Sequence, residues 1–321
     1  MLETSLRHAA KWARDLPART ALRCANSRLI NPRLIERHES ALDLHSTCVP
    51  KLAGLDLEIV EGLRRDGIYM TSLDALGLPG SAGILKDAQA LAAGFSAEAH
   101  RRTREGQDFV IVPPDAIASR PEIFAWGLDE RLLDIVEAYL GLPAAYDGVN
   151  LIYTVAGASE AGPRRWHRDW EDRRTVKVCI YCNEVAAGGG PFQMIRRRDP
   201  RQGGASGYRY MLADDALLAE RLGAGYADDV VSCEGPAGTV IFCETAEHFH
   251  RGQPALHTDR AALFHSYFAR WPRHPFYCER SGLSRRQVAQ LSQNLNPRQR
   301  ATALWRRELP LPARLIPPAG L

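Results

Sequence analysis

Two side chains that could bind a metal ion stand two residues apart in the segment WHRDWED, at His167 and Asp169. On an extended strand, residues i and i+2 leave the same face, so the imidazole and the carboxylate are expected to lie side by side. Two ligands do not complete a metal site, so a third must come from elsewhere in the chain. His250 is the candidate, because it follows the apolar run GTVIFC and stands just before Gly252.

Two histidines and one carboxylate can occupy one face of an octahedral metal ion, and this ligand set favours non-haem Fe(II). Three positions then stay open for a cosubstrate and oxygen. An HxD pair also arises by chance, and a surface ion pair would explain His167 and Asp169 without a metal. Arg260 strengthens the metal interpretation, since it stands ten residues after His250 at the head of the strand-like run RAALFHSYF. A guanidinium there could form a bidentate pair with a carboxylate just beyond the metal.

Rival ligands stand close to these residues. His248 lies two residues before His250 and would share its face on a strand. Two further carboxylates, Glu171 and Asp172, stand close after Asp169, but only Asp169 has the i+2 relation to His167. The residues alone therefore select the carboxylate and leave both histidines of HFH open as the third ligand.

Other chemistries find less support in the sequence. The segment WHRDWED contains the His-Arg-Asp of a kinase catalytic loop, but Arg174 stands where that loop needs asparagine. No phosphate loop GxxxxGK and no nucleophile motif GxSxG occurs. Cys179 and Cys182 form a CxxC pair, yet on the strand-like run TVKVCIYC they would point to opposite faces. We expect buried small hydrophobic residues there rather than zinc ligands or a redox pair.

Composition and charge exclude several classes of protein. The 321 residues are 45% hydrophobic and 25% charged, as in soluble globular proteins. No apolar run approaches the ~18–20 residues of a membrane-spanning helix, and the charged N-terminus lacks the apolar segment of a secretory signal. The net charge of +3 gives no argument for a nucleic acid or a membrane as partner. Seven cysteines, an odd number, favour a reducing compartment, so we expect a cytoplasmic protein.

The elements that must position the candidate ligands follow from the pattern along the chain. Residues 1–65 have the apolar spacing of helices, and residues 276–321 return to helix. Between them lies the predicted core, residues 66–275, in which short β-type runs separated by Gly, Pro and Asp extend from Ala145 to about Trp271. Several short strands at this spacing predict a barrel or a two-sheet jelly roll. We expect one domain, mainly β, in which helical segments flank the central core.

Local signals predict where individual helices begin and end. A turn at Asp66 and Gly67 is predicted to end a helix ahead of a short strand. One longer helix is predicted to begin near Ser119 and to run through RPEIFAWGLDERLLDIVEAYLG as far as Gly141. The side chains predicted to cap other helices are Thr71 or Ser72, Ser284 and Asn296.

At these residues the sequence resembles the phytanoyl-CoA dioxygenase-like family of Fe(II)/2-oxoglutarate-dependent dioxygenases. The matching stretches are WHRDWE at 166–171, GGGPFQMI at 188–195 and ETAEHFHRGQPALHTDRAALFHSYFARWP at 244–272. The resemblance extends over roughly residues 60–275. It implies a double-stranded β-helix, a cupin-like jelly roll, with the site inside its mouth.

The same resemblance implies the ligands and the reaction. Fe(II) is expected at His167, Asp169 and His250, because the family pattern of HRG followed by arginine selects His250 over His248. Arg260 is expected to bind the distal carboxylate of the cosubstrate 2-oxoglutarate, and O2 is the other cosubstrate. Halogenases that resemble this family have a small residue in place of the carboxylate. The presence of Asp169 therefore favours oxygenation, with hydroxylation of a C–H bond as the expected outcome, although desaturation or cyclisation can follow the same path.

Two other functions are compatible with the same three ligands. A zinc hydrolase could use them with a metal-bound water, although it would leave Arg260 without a role. A metal-binding jelly roll without catalysis could act as a sensor or a scaffold. We expect the oxygenase, acting on a small molecule, and by analogy an intermediate of bacterial specialised metabolism.

Further residues are predicted to line the pocket. On TVKVCIY, Lys177 would share a face with Thr175, Cys179 and Tyr181. If that face is inward, Lys177 needs an anion, because burial of an unpaired ammonium is costly. Either the metal-side carboxylate of 2-oxoglutarate or the substrate would serve, whereas an outward Lys177 would simply be solvated. Two residues on neighbouring predicted strands are also pocket candidates, with packing as the alternative: Tyr153 and Gln193.

An arginine-rich segment, IRRRDPRQGGASGYRYM, follows one of the predicted strands. It carries five arginines against one aspartate, and its three glycines add flexibility. Such a segment could close over an anionic substrate as a lid, or it could be a solvated loop. The arginines of the segment are Arg196, Arg197, Arg198, Arg201 and Arg209, and Arg164 and Arg165 precede the metal strand.

Overall fold

The structure, a computed structural model, describes residues 15–107, 110–157, 162–199 and 211–318. The helices, in chain order, are α1 (described over 15–25), α2 (Asn31–His45), α3 (Gly54–Asp66), α4 (Leu73–Leu76), α5 (Ser81–Arg104), α6 (Pro114–Ala118), α7 (Pro121–Trp126), α8 (Glu130–Leu140), α9 (Asp215–Leu222), α10 (Arg285–Leu291), α11 (Pro297–Ala303) and α12 (Leu311–Leu315). Within the ranges described, none of them has the length and hydropathy needed to cross a lipid bilayer.

Eleven strands are formed by the described residues. They are β1 (Ile68–Ser72), β2 (Val110–Ile111), β3 (Ala144–Thr154), β4 (Trp166–His167), β5 (Thr175–Tyr181), β6 (Phe192–Arg198), β7 (Leu212–Ala213), β8 (Val230–Cys233), β9 (Thr239–Glu244), β10 (His248–Gly252) and β11 (Arg260–Ala269). The turn predicted at Gly67 ends α3 in the left-handed conformation, and the predicted cap Ser72 accepts a hydrogen bond from the N–H of Ala75.

The strands form two antiparallel sheets. One sheet has six strands in the order β1-β9-β5-β11-β3-β2, and the other has five in the order β7-β4-β10-β6-β8. From β3 onward the chain passes repeatedly from one sheet to the other, so that β4, β6 and β10 lie opposite β3, β5, β9 and β11. This alternation between two facing sheets is the arrangement of a double-stranded β-helix, as predicted.

The six-stranded sheet is apolar on both faces. Val176 and Val178 of β5 point outward into a large cluster with residues of α3, α5, α7 and α8. Cys179 points inward and packs in a second cluster with Phe192 of the facing sheet. Cys182 belongs to the outer cluster, so the two cysteines of the CxxC pair lie on opposite sides of the sheet, as expected.

The prediction of one long helix from Ser119 is wrong. The chain instead forms α7 and α8, with an interruption at residues 127–129. Gly127 packs so closely against the sheet that an added Cβ would lie 2.4 Å from His265 Nδ1. The side chain of Asp129 then accepts hydrogen bonds from two N–H groups at the start of α8. The tight approach and the new cap together favour two short helices over one.

The C-terminal helices are anchored on α8. The predicted caps Ser284 and Asn296 both form capping boxes with a glutamine three residues later. Arg298 of α11 forms ion pairs at 2.7–2.8 Å with three carboxylates of α8, namely Glu130, Asp134 and Glu137. Charge pairing and local caps therefore join the last segment to the helical layer outside the barrel.

Candidate metal centre

The pairing of β4 with β10 brings two of the predicted ligands face to face. His167 and His250 are direct partners across the two strands, and their ring centroids lie 4.3 Å apart. Asp169 follows the end of β4, where its N–H donates to the carbonyl oxygen of Thr245 at 2.8 Å. One ligand atom from each of the three side chains lies within 4.8 Å of the others. In the part of the chain that the structure describes, no other group of three such side chains meets this condition.

Both imidazoles present the nitrogen that a metal would need. The Nδ1 of His167 lies 2.8 Å from the carbonyl oxygen of Arg165, and the Nδ1 of His250 lies 3.2 Å from that of His248. A carbonyl oxygen only accepts, so each Nδ1 carries the proton and each Nε2 keeps its lone pair. Burial lowers the pKa of His167 and lowers that of His250 well below its usual value. The neutral, metal-binding form is therefore the stable one in both residues.

Asp169 is charged and pairs with a lysine. Lys177 Nζ lies 2.5 Å from Asp169 Oδ2, and the lysine side chain is 24% exposed. Burial opposes ionisation of Asp169, but the ammonium of Lys177 and the two imidazoles outweigh it and bring its pKa well below the usual range. Lys177 thus lies on the inward face of β5, one of the two orientations predicted, and its ion-pair partner is a candidate metal ligand.

Arg260 lies on β11, the strand that pairs with β5, which carries Lys177. It is 5% exposed at the start of β11, opposite Thr154 of β3. Its guanidinium donates to the carbonyl oxygen of Gly190 and, at 3.2 Å, to Thr154 Oγ1, while its Nε has no hydrogen-bond partner. Gly252 makes room for it, since an added Cβ would lie 2.8 Å from Nη2. No carboxylate among the described residues pairs with this buried cation, so it can receive an anion.

The structure corrects the position of Tyr153. Its side chain packs in the outer cluster, and its hydroxyl lies 2.9 Å from both Ser96 Oγ and Asp259 Oδ2. Thr154, the next residue of β3, is the one that reaches Arg260. The prediction that Tyr153 lines the pocket is therefore wrong, because neighbouring residues of a strand point to opposite faces.

The prediction that Gln193 lines the pocket is wrong for the same reason. Its neighbours on β6, Phe192 and Met194, point into the barrel. Gln193 points outward, where its amide accepts from Arg251 Nε and donates to Gln253 Oε1. It is a packing residue of the outer surface of the five-stranded sheet.

His248, the rival ligand, is directed away from the cluster. The pairing of β10 with β6 shifts register between His248 and His250, so the two rings do not share one surface. The Nδ1 of His248 lies 3.0 Å from the carbonyl oxygen of Ile195, and its ring packs against Gly67. Burial lowers its pKa to about 4. His248 therefore lies neutral in the core beside β1.

Two charged residues beside Asp169 were not anticipated as a pair. Glu171 is 6% exposed, and its Oε1 lies 3.2 Å from Arg280 Nε. From its position in the sequence Glu171 was expected only as a rival ligand, and no role was predicted for Arg280. The i+2 relation of Glu171 to Asp169 was the available signal for a shared surface. Nothing local could identify Arg280, which lies more than a hundred residues further along the chain.

The arginine-rich segment is described only in part. Arg197 pairs with Asp229 at 2.5 Å, and Arg198 pairs with Glu247 at 3.5 Å. Arg196 is exposed at the end of β6. Arg201 and Arg209, with the three glycines of the predicted lid, lie outside the described residues. Two of the five arginines thus have acidic partners within the protein.

Neither the comparison with known protein families nor that with curated proteins finds a match. Among solved structures, EctD from S. alaskensis with bound Fe is 20% identical, with a TM-score of 0.47, over 69% of this chain and 81% of that chain. The non-heme alpha ketoglutarate dependent carbocyclase SnoK from nogalamycin biosynthesis is 16% identical, with a TM-score of 0.43, over 68% and 85%. HygX from Streptomyces hygroscopicus, with nickel and 2-oxoglutarate bound, is 14% identical, with a TM-score of 0.39, over 68% and 89%.

Proposed function

We propose that this protein is a non-haem Fe(II)/2-oxoglutarate-dependent oxygenase of the phytanoyl-CoA dioxygenase-like kind, and that it hydroxylates a C–H bond of a small molecule. One observation carries the proposal. Two neutral imidazoles and a carboxylate converge inside the barrel, and a buried guanidinium without an acidic partner lies on the adjoining wall. The imidazoles and the carboxylate suit a metal ion. The guanidinium suits the far carboxylate of a cosubstrate bound to that metal.

The donor set fits Fe(II). His167 and His250 would bind through Nε2, since their Nδ1 protons are donated to backbone carbonyl oxygens. Asp169 would supply the third ligand and one negative charge. Bound Fe(II) would supply the activation of O2, coupled to oxidative decarboxylation of 2-oxoglutarate to succinate and CO2. The chain itself provides neutral donors that need no deprotonation before the metal binds.

Arg260 fits the cosubstrate. A dicarboxylate with one end at the metal would need a cation for its other end, and Arg260 is buried with an unpaired Nε. Guanidinium binds carboxylate bidentately and stays charged when buried. Thr154 and Gly190 fix the orientation of the side chain, so little conformational freedom is lost when the anion binds.

Apolar side chains pack around part of the candidate site. Phe192 stacks on His250 with ring centroids 5.7 Å apart, and it packs with Met194 and Ile241 between the sheets. Such apolar surroundings strengthen the charge interactions of the ligands and keep bulk solvent from the reacting atoms. The substrate would therefore react in a shielded pocket, positioned by the rigid strands around it.

The test is a reconstitution of the purified protein under anaerobic conditions. We expect about one Fe(II) per chain and, when O2 and 2-oxoglutarate are admitted, release of succinate that stops when either is omitted. Zn(II) in the same site should bind and give no succinate. If Zn(II) instead supports ester or amide hydrolysis that 2-oxoglutarate does not affect, the protein is a zinc hydrolase. If metal binds and neither product forms with any substrate, the non-catalytic role stands.

A further inference from the structure

Four charged side chains meet beside the candidate metal centre. Lys177 pairs with Asp169 at 2.5 Å, and Glu171 pairs with Arg280 at 3.2 Å. The two acids are separated by one residue, so the four groups form one continuous patch beside the metal ligands. Without a bound metal, each of the two carboxylates forms an ion pair with one cation.

Loading the site as proposed would change this balance. Fe(II) adds two positive charges, and 2-oxoglutarate adds two negative charges, one of which is directed to Arg260. The carboxylate of Asp169 would then be shared between the metal ion and the ammonium of Lys177. The metal cation would also repel the ammonium. Counted over the four groups and Arg260, the loaded site retains one positive charge that no described side chain compensates.

Lys177 is the cation that lacks a partner in the loaded site. Glu171 remains engaged, because its two oxygens contact Arg280 Nε and the N–H of Trp170. The neighbour of Lys177 on β11 is Ser266, a small residue that leaves space on the inner face. The side chain of Lys177 is 24% exposed, so part of it is accessible from outside the core.

We propose that Lys177 is a specificity-determining residue, and that it binds an acidic group of the substrate, a carboxylate or a phosphate, next to the metal. The inference rests on the proposed function. Binding of metal would loosen the pair between Lys177 and Asp169, and the acidic group of the substrate would replace Asp169 as the partner of the ammonium. Neutral analogues would then bind poorly, since they leave Lys177 unpaired.

The experiment uses protein loaded with Mn(II) and 2-oxoglutarate, because paramagnetic Mn(II) relaxes the protons of any molecule that binds beside it. Two probe pairs differ only in charge: acetate with acetamide, and phenylacetate with phenylacetamide. In the wild-type protein we expect at least one carboxylate to bind ten-fold or more tightly than its amide. Lys177→Met should abolish this preference, whereas Lys177→Arg should retain most of it. The control Lys86→Met removes the same charge from the exposed side of α5 and should have no effect.

Three other outcomes would each contradict one part of the proposal. If Mn(II) does not relax 2-oxoglutarate in the wild-type protein, the proposed function itself fails. If 2-oxoglutarate binds normally but the carboxylates show no preference over their amides, or keep it in Lys177→Met, Lys177 does not bind the substrate. If Lys177→Met weakens 2-oxoglutarate ten-fold or more, Lys177 binds the cosubstrate instead. Circular dichroism and 2-oxoglutarate relaxation in Lys177→Arg show whether the site is intact.

Discussion

Two imidazole rings with the same pattern of hydrogen bonds lie at the centre of the candidate site. His167 and His250 each donate Nδ1–H to a backbone carbonyl oxygen, and each is buried enough to stay neutral. A ring fixed in this way can turn neither its other nitrogen nor its plane away from the metal position. Asp169 completes the set as an anion because a lysine ammonium stabilises its charge. Neighbouring groups thus hold the three side chains in the forms that a metal ion would bind.

At this scale the choice between the two histidines of HFH can be tested. His250→Ala should lower Fe(II) affinity by more than the ~10–100-fold typical of a lost outer partner, because a direct ligand disappears. His248→Ala should keep the metal, since the carbonyl oxygen that accepts from His250 belongs to the backbone. The buried cavity and the lost hydrogen bond to Ile195 should cost about 1–3 kcal/mol of stability. Metal titration and chemical denaturation of both variants check this, and metal loss in His248→Ala would contradict it.

Arg260 gives the second test at the residue scale. Arg260→Met removes the guanidinium but keeps an apolar stem, and it should weaken 2-oxoglutarate binding by about 2–5 kcal/mol, because a buried carboxylate loses its charged partner. Fe(II) binding should be unchanged, since none of the three ligands contacts Arg260. Calorimetric titration of 2-oxoglutarate into the metal-loaded variant measures the loss. An unchanged affinity would make Arg260 a packing residue.

Among the elements, the corner between α3 and β1 fixes the strand that carries His250. Gly67 adopts φ +72° at this corner, and an added Cβ would lie 2.5 Å from the ring of His248. Its carbonyl oxygen also accepts from the N–H of Glu244 at the end of β9. A tight turn at Gly67 therefore lets the corner contact β9 and β10 together, and β10 in turn positions the candidate ligand His250.

Gly67→Ala should therefore destabilise the fold by two effects. A side chain at a left-handed φ costs roughly 1–2 kcal/mol, and the collision with His248 should add about 1–3 kcal/mol. Gly54→Ala is the matched control, because Gly54 has φ +55° but nothing within 4 Å of the added Cβ. Chemical denaturation of both variants separates strain from collision. If both variants lose the same free energy of unfolding, the ring of His248 can move aside for the added methyl group.

On the scale of the whole molecule, the helical layer is joined to the barrel partly through a buried neutral histidine. His265 of β11 packs against Trp126 of α7, and its Nδ1 lies 2.8 Å from Tyr146 Oη. Burial lowers its pKa to about 3. The unfolded chain takes up this proton near pH 6.5, while the folded protein does not. Stability is therefore greatest above pH 6.5 and falls as the pH falls towards 3.

His265→Phe should make the acid side of the stability profile shallower. The ring can still pack against Trp126, but one group that protonates only on unfolding is removed, so the loss between pH 6 and 4.5 should shrink by about 2 kcal/mol. Denaturation midpoints over this pH range give the measurement. His257→Phe, at an exposed position, should leave the slope as in the wild-type protein. An unchanged slope in His265→Phe would mean that other groups cause the acid sensitivity.

What the sequence determined by itself was local. Ser72, Ser284 and Asn296 were recognisable as caps because a cap acts only on its own neighbours. Each of the three side chains accepts a hydrogen bond from the N–H three residues later. The β-type runs after residue 145 were visible in the sequence, because the spacing that marks a strand depends only on neighbours along the chain. The i+2 spacing of His167 and Asp169 and the distant His250 were visible in the same way, and the structure brings these three together.

Only the tertiary structure decided which face of each strand is inward. β3 and most of β6 are buried on both sides, so no alternation of polar and apolar residues marks the inner face, and Tyr153 and Gln193 were assigned to the wrong one. The break at Gly127 depends on a ring from β11, and the partner of Glu171 is Arg280, far along the chain. Contacts between distant segments arise only when the sheets close on each other, because close packing and charge pairing are properties of the assembled interior.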